Sequence, residues 1–279
     1  MLVPIQTSGT KPPLFFMHGP HGVMPLGRTF ARVLGPQQPL YVMHANGIDG
    51  RTPTIDNMTN LVRAYVEEIQ KARPAGSVLI GGMGDGSLAA IEIARELQNN
   101  ERHVGPVILV DPPSAPGKEP VPNELSREAE RQLYERVRQN LTLYASLAEN
   151  DLPFDARDRQ QLHRAALAGV ASMLAFGRYV PRPFPGPAQL ILCAKAAADF
   201  FHPQMPWHKL LSGPRMVHIL PWDQAALFRG GREHVAQGLK FLLEEASTLE
   251  NVSERQEFDA PRIEQMAQRI DGLVSGRAR

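Results

Sequence analysis

Cysteine is almost absent: Cys193 is the only one in 279 residues. That excludes an intrachain disulfide framework and any metal site built on several thiolates, and it leads to the expectation of a reducing, cytoplasmic setting. Charge of one sign is missing too. Thirty Lys and Arg stand against 29 Asp and Glu, a formal net charge of +1, which gives no electrostatic ground for a nucleic-acid partner. No apolar run reaches the ~18 residues of a membrane span. The opening MLVPIQTSGTKPPLFFMHG has no basic segment followed by a long apolar one, so no signal peptide is expected. Internal repeats and low-complexity tracts are absent. What is there is the make-up of an ordinary soluble globule, 43% hydrophobic and 21% charged. Its 25 prolines gather between Pro112 and Pro122 and between Pro181 and Pro187, as expected of long excursions between core elements.

The stretch Ser77 to Leu97, SVLIGGMGDGSLAAIEIAREL, organises the rest. A short apolar run, Val78-Leu79-Ile80, is long enough for a buried strand. Gly81-Gly82-Met83-Gly84-Asp85-Gly86 predicts a sharp turn. Leu88, Ala89, Ile91, Ile93, Ala94 and Leu97 then follow the spacing of a buried helix. Strand, glycine turn and helix are the layout of a nucleophile elbow, Gly-x-Ser-x-Gly. Gly82 and Gly86 supply its outer glycines. Gly84 stands where the serine belongs.

Around this centre the chain alternates apolar strands with amphipathic helices. Strands are expected at Leu14–Met17, Pro39–Met43, Val107–Val110, Ala188–Leu192 and Met216–Leu220. Helices are expected at Leu26–Leu34, Ile55–Lys71 and about Glu233–Ala246. That alternation predicts a mostly parallel sheet with helices on both faces. Between Ser126 and Leu174 the rhythm changes to two charged helical stretches, read as an inserted lid over about 123–180. The whole is expected to be one α/β-hydrolase domain over 1–249. A C-terminal extension over 250–279 has Ile263, Met266, Ile270 and Leu273 on one helical face. Met1 directly before the opening motif is expected of a free-standing protein or an excised terminal domain.

Several segments carry a likeness. LVPIQTSGTKPPLFFMHG, the run PLYVMHANGIDGRTPTIDNMTNLVRAYVEEIQKARPAGSVLIGG, VILVDPPSAP and FPGPAQLIL resemble the thioesterase domains of non-ribosomal peptide and polyketide synthases. The likeness covers roughly residues 2–245 and is strongest over the first 115. It implies the α/β-hydrolase fold and a Ser-His-Asp hydrolysis of acyl thioesters, in which histidine takes the serine proton and aspartate orients the histidine. Carried over residue by residue, it puts Asp111 at the triad acid and Gly84 at the nucleophile. Gln224 falls at the histidine, where the family shows Gly-x-His. The oxyanion donors fall at the Asp85 N–H and near Gly19-Pro20, and proline has no N–H. His18 matches a histidine that is structural in the family.

Three readings follow. The resemblance implies an acyl or peptidyl carrier protein, or a small acyl ligand, as partner. It implies no required cofactor beyond contact with a carrier-borne phosphopantetheine. With nucleophile and base both replaced, the first reading is a domain that binds such cargo without hydrolysing it. The second is a repurposed enzyme using Asp85 or Asp111 in a non-hydrolytic acyl-transfer, cyclisation or lyase step. The third is an active thioesterase with a displaced nucleophile. Each replacement candidate has a bland alternative: Ser87 as a small packing residue at a helix start, Cys193 as a buried hydrophobe, His234 as a surface histidine. Asp85 has one too, as a helix N-terminal acid favoured by the dipole. Arg127, Arg131, Arg136 and Arg138 lie among glutamates, either as a solvated salt-bridged face or as a docking surface for an acidic carrier.

Overall fold

The computed structural model describes residues 1–114, 116–117, 121–148, 151–193, 196–197, 200, 207–220 and 231–249. Gln224 and the extension over 250–279 lie outside the described residues. Seven strands form one sheet: β1 (Leu2–Gln6), β2 (Leu14–Met17), β3 (Leu40–Met43), β4 (Leu79–Met83), β5 (Val107–Val110), β6 (Ala188–Cys193) and β7 (Arg215–Leu220). Their order is β1-β3-β2-β4-β5-β6-β7. β1 runs antiparallel on the edge against β3, and the other neighbours are parallel. Together with the helices below, this is the α/β-hydrolase fold.

The side-chain period of two explains why the central strands read as unbroken apolar runs. On β2, Phe15 and Met17 enter one core with Leu61, Tyr65 and Ile69 of α2 (Met58–Ala72) and Ile93 and Leu97 of α3 (Gly86–Asn99). Leu14 and Phe16 enter the opposite core with Phe30 of α1 (Gly27–Leu34) and residues of the C-terminal helix over 232–249. All four strand residues are fully buried. The expected elements recur with small shifts at their ends. One difference has a steric cause: Gly81 and Gly82 lie inside β4, not in the turn. A Cβ on Gly81 would lie 2.8 Å from the Phe16 ring, and one on Gly82 would be driven into Gly86 O. These glycines admit neighbours rather than bend the chain.

Between β5 and β6 the described residues carry two helices, α4 (Arg127–Ala148) and α5 (Arg159–Gly177). The second starts on Asp158, whose carboxylate accepts the N–H groups of Gln160 and Gln161, a standard N-cap. Val137 and Leu141 of α4 and Ala165, Ala166 and Ala168 of α5 share an apolar cluster with Val23, Ala45 and Ile48. Those three come from the loops that follow β2 and β3, so the helix pair sits on the carboxyl ends of the strands. Charged contacts tie the insertion down: Arg28 to Asp151 at 3.3 Å, Arg178 to Asp56 at 3.0 Å, and Arg182 to Glu92 at 2.7 Å. On α4, Arg131–Glu128 and Arg138–Glu135 pair at i,i+3 spacing, the arrangement of a solvated face. Beyond β6, the short helix α6 (Trp207–Leu210) anchors the segment after β5 through Trp207 Nε1, which donates to Pro113 O at 2.8 Å. The last described helix is α7 (Arg232–Leu249). No helix of the described residues is long and apolar enough to cross a membrane.

Candidate active site

In a parallel sheet, ligands bind at the carboxyl ends of the strands. Here register decides which residues meet there. Met17 pairs with Gly82, Met83 with Val110, and Val110 with Ile191. The residues just past these strands, His18, Gly84 and Asp111, are therefore brought to one edge, with Cys193 at the end of β6.

Gly84 is the apex of the elbow. Its φ is +56°, in the left-handed region that side-chain-bearing residues enter at a cost of about 1–2 kcal/mol. Its N–H donates to Val110 O at 2.9 Å, and its carbonyl accepts the Ser87 N–H at 3.0 Å. The strained backbone of an elbow is thus kept in full, with no side chain on it. A Cβ placed there would meet Pro20 Cδ at 3.6 Å, an ordinary contact. Space for a nucleophile remains, and Pro20 faces it.

Asp111 is buried and also left-handed, with φ +48°. Its N–H donates to Ile191 O at 2.7 Å, and its Oδ1 accepts the Cys193 N–H at 3.1 Å. A carboxylate is thereby fixed where a triad acid would be.

Asp85 takes the N-cap position of α3 without capping it: its φ and ψ are helical and its side chain bonds no helix N–H. Half-buried, it has its carboxyl pushed up to about 6 by desolvation. Burial here outweighs the helix dipole, which acts in the opposite sense. Ser87 is fully buried, and its hydroxyl donates to Gly82 O at 3.2 Å. That bond turns it into the elbow, away from any ligand. His234 is exposed near the start of α7.

His18 is fully buried, with Nδ1 2.7 Å from Gly19 O and Nε2 2.6 Å from the Tyr65 hydroxyl. Burial pulls its pKa down to about 4, so the ring is neutral at neutral pH. A carbonyl only accepts, so Nδ1–H donates to Gly19 O and Nε2 accepts the Tyr65 O–H. Both nitrogens are occupied, and His18 serves to hold the loop that starts at Gly19. That loop is fixed further by Gly22 N–H to Gly19 O at 3.2 Å and Ala45 N–H to Gly22 O at 2.8 Å. His21 Nδ1 lies 3.1 Å from the Tyr144 hydroxyl on α4. These links were not evident from sequence: Tyr65 reads as one more apolar position of α2, and His21 and Tyr144 lie 123 residues apart.

A sharp glycine elbow between β4 and α3, with an acid at the end of β5 and a helix pair inserted before β6, defines an α/β-hydrolase site. A family model for the thioesterase domain matches residues 12–240, and the chain belongs to that family. It is 31% identical over 111 residues to malpibaldin synthetase of Mortierella alpina, covering 40% of this chain and 2% of that protein. It is 30% identical over 112 residues to atromentin synthetase of Tapinella panuoides, covering 40% and 12%. The chain therefore spans only a small part of these synthetases. Among solved structures, the NocB thioesterase domain in covalent complex with a fluorophosphonate nocardicin G analogue superposes with a TM-score of 0.66. It is 17% identical and covers 87% of this chain and 99% of that one, a likeness of fold.

Proposed function

We propose that this thioesterase-family domain has lost serine-type hydrolysis and binds the acyl or peptidyl cargo of a carrier protein, or its released product, in secondary-metabolite biosynthesis. The observation that carries this reading is Gly84: a strained left-handed elbow apex, roomy enough for a side chain, that bears none. Hydrolysis in this fold requires an atom there to accept the acyl group. Without nucleophile and base, only binding and oxyanion donors are left to act on the transition state. Pro20 at the facing loop supplies no N–H, which weakens the second contribution. Asp111 is retained as a fixed polar anchor, no metal or other cofactor is called on, and the α4–α5 pair serves as the lid over the cargo. A cytoplasmic setting goes with this reading.

NocB forms its covalent complex with a fluorophosphonate, which gives a direct probe. The wild-type protein is expected to resist a fluorophosphonate and to leave acyl thioesters intact, while retaining an acylated carrier protein in a pull-down. The Gly84→Ser, Gln224→His double variant is expected to take up the label. Labelling of the wild type on any serine overturns the reading. So does wild-type thioester turnover. If that turnover disappears in Asp111→Asn and leaves no acyl adduct, non-covalent acid–base chemistry takes the reading's place.

A further inference from the structure

The sheet ends in β1 on one side and β7 on the other, and only one of these edges is guarded. An edge strand offers unpaired N–H and C=O groups to any other strand, and sheets blunt such edges with proline, bulges or outward charge. β1 does so: Pro4 interrupts it, and its register against β3 shifts between Pro4 and Gln6. β7 has neither device. It keeps unbroken register against β6 from Arg215 to Leu220, and its one arginine, Arg215, is turned back to Leu211 O at 2.7 Å.

One bond fixes which backbone groups are left open. Ala188 N–H donates to Pro214 O at 2.9 Å, so Pro214 faces β6, and by the strand period of two Met216, His218 and Leu220 do as well. The N–H and C=O groups of Arg215, Val217 and Ile219 therefore point outward. Among the described residues no backbone hydrogen bond reaches them from that side, and the strand from Arg215 to Ile219 is only half-buried. Its two faces are apolar at the margin. Val217 and Ile219 pack at the rim of one core. On the other face Phe241 of α7 lies beside His218, ring centroids 5.6 Å apart, and is 47% exposed.

We infer that the outer edge of β7 is an interface between two copies of this chain, paired antiparallel into one continuous sheet. A two-fold axis at His218, normal to the sheet, makes the contact isologous. Val217 of each copy then stands opposite Ile219 of the other, a β-branched cross-strand pair of the kind that stabilises sheets, and their outward N–H and C=O groups bond across the seam. The same axis lays the two α7 helices antiparallel on one face, with the exposed Phe241 of each between them. Lys240 and Glu244 are exposed one turn apart beside Phe241, so each meets the opposite charge of the other copy. A second copy thus matches the edge in hydrogen bonding, in apolar surface and in charge. Antiparallel pairing reverses the strands, so the two elbows open at opposite ends of the joined sheet and neither site is obstructed. The inference is independent of the binding role proposed above.

The test uses the full chain. Sedimentation velocity is expected to show a dimer of twice the chain mass that dissociates on dilution. Val217→Pro removes an outward N–H and leaves the β6 ladder whole, a place where an edge strand tolerates proline, so it should give a monomer that a thermal melt shows to be folded. Lys240→Glu should weaken the dimer about fivefold, because two exposed attractions become repulsions. Lys240→Glu together with Glu244→Lys should restore it. These surface exchanges decide the question if Val217→Pro does not fold. Amide exchange at Val217 and Ile219 should be slow in the dimer and fast in the monomer. A wild-type protein that is monomeric at every concentration overturns the inference. So does a dimer that folded Val217→Pro leaves intact, or, where that variant does not fold, a dimer that Lys240→Glu does not weaken. Slow exchange at these two amides in the monomer overturns it as well, since the edge is then covered by the protein's own chain.

Discussion

Three glycines around the elbow are required for two different reasons, and the difference can be measured. Gly82 and Gly86 are steric. A Cβ on the first would enter Gly86 O, and one on the second would enter His18 O. Relief would need β2, β4 and the start of α3 to separate. Gly84 is conformational: its φ is +56°, and a Cβ there makes only an ordinary contact with Pro20. Gly84→Ser should therefore lower unfolding stability by about 1–2 kcal/mol, the left-handed penalty of an L residue. Gly86→Ala should lower it by more than about 3 kcal/mol or prevent folding, because overpacking against backbone has no cheap relaxation. Urea denaturation of the two variants reads the contrast. Equal losses would mean that Gly84 is not the apex. At this scale the sequence was a good guide to identity and a poor one to cause. The Gly-x-x-x-Gly frame was legible, yet only the packing distinguishes a glycine that bends the chain from one that lets a neighbour approach.

At the scale of elements, the Gly19–Gly22 loop is the piece that couples the inserted helices to the elbow. Pro20 faces Gly84, and the next residue, His21, meets Tyr144 of α4 while its carbonyl would lie 2.8 Å from a Cβ on Gly169 of α5. The loop is thus held from below by His18 and from above by both inserted helices. Tyr144→Phe removes the hydroxyl that His21 contacts, a loss of about 1 kcal/mol. Amide exchange over residues 19–23 should then quicken about fivefold while exchange in α2 and α3 stays as it was. Unchanged loop protection would sever the proposed link. The principal strands and helices were legible because buried parallel strands make short apolar runs and α2, α3 and α7 carry their apolar residues at helical spacing. β1 was not, since Pro4 interrupts it and an edge strand bears half-buried residues, the place where a sheet tolerates proline. α6 is four residues long, too short for periodicity to register. The His18–Tyr65 and His21–Tyr144 contacts join distant segments, and no local pattern announces such pairs.

For the whole molecule, the buried ionisable groups pull stability in opposite directions with pH. His18, His21 and His44 have folded-state pKa values below the usual 6.5. As pH falls below 6.5 the unfolded chain takes up protons that the folded chain refuses, so acidification destabilises the fold down to about pH 4. Asp85 acts in reverse. Its folded value is about 6, above the 3.8 of an ordinary aspartate, so the folded state binds the extra proton, and stability is lost as pH rises from about 4 to about 6. Asp151, whose carboxyl burial also raises, acts in the same sense as Asp85; the three histidines oppose these two carboxyls, and the net expectation is a protein that weakens in acid. Asp85→Asn separates the two contributions, because the histidines are common to both proteins. The difference in unfolding free energy should be small at pH 4. It should grow in favour of the variant through pH 5 and 6, and level off above about pH 6.5 at about 1–2 kcal/mol. That plateau is set below the full pKa conversion because Asp85 keeps some contact with solvent. Paired urea melts at half-unit pH steps read the curve directly. A difference that is flat across this range would mean that the carboxyl is not desolvated. A rise that starts near pH 4 and is complete by about pH 6 to 6.5 would mean that the elbow holds a carboxyl whose ionisation the folded chain opposes by burial.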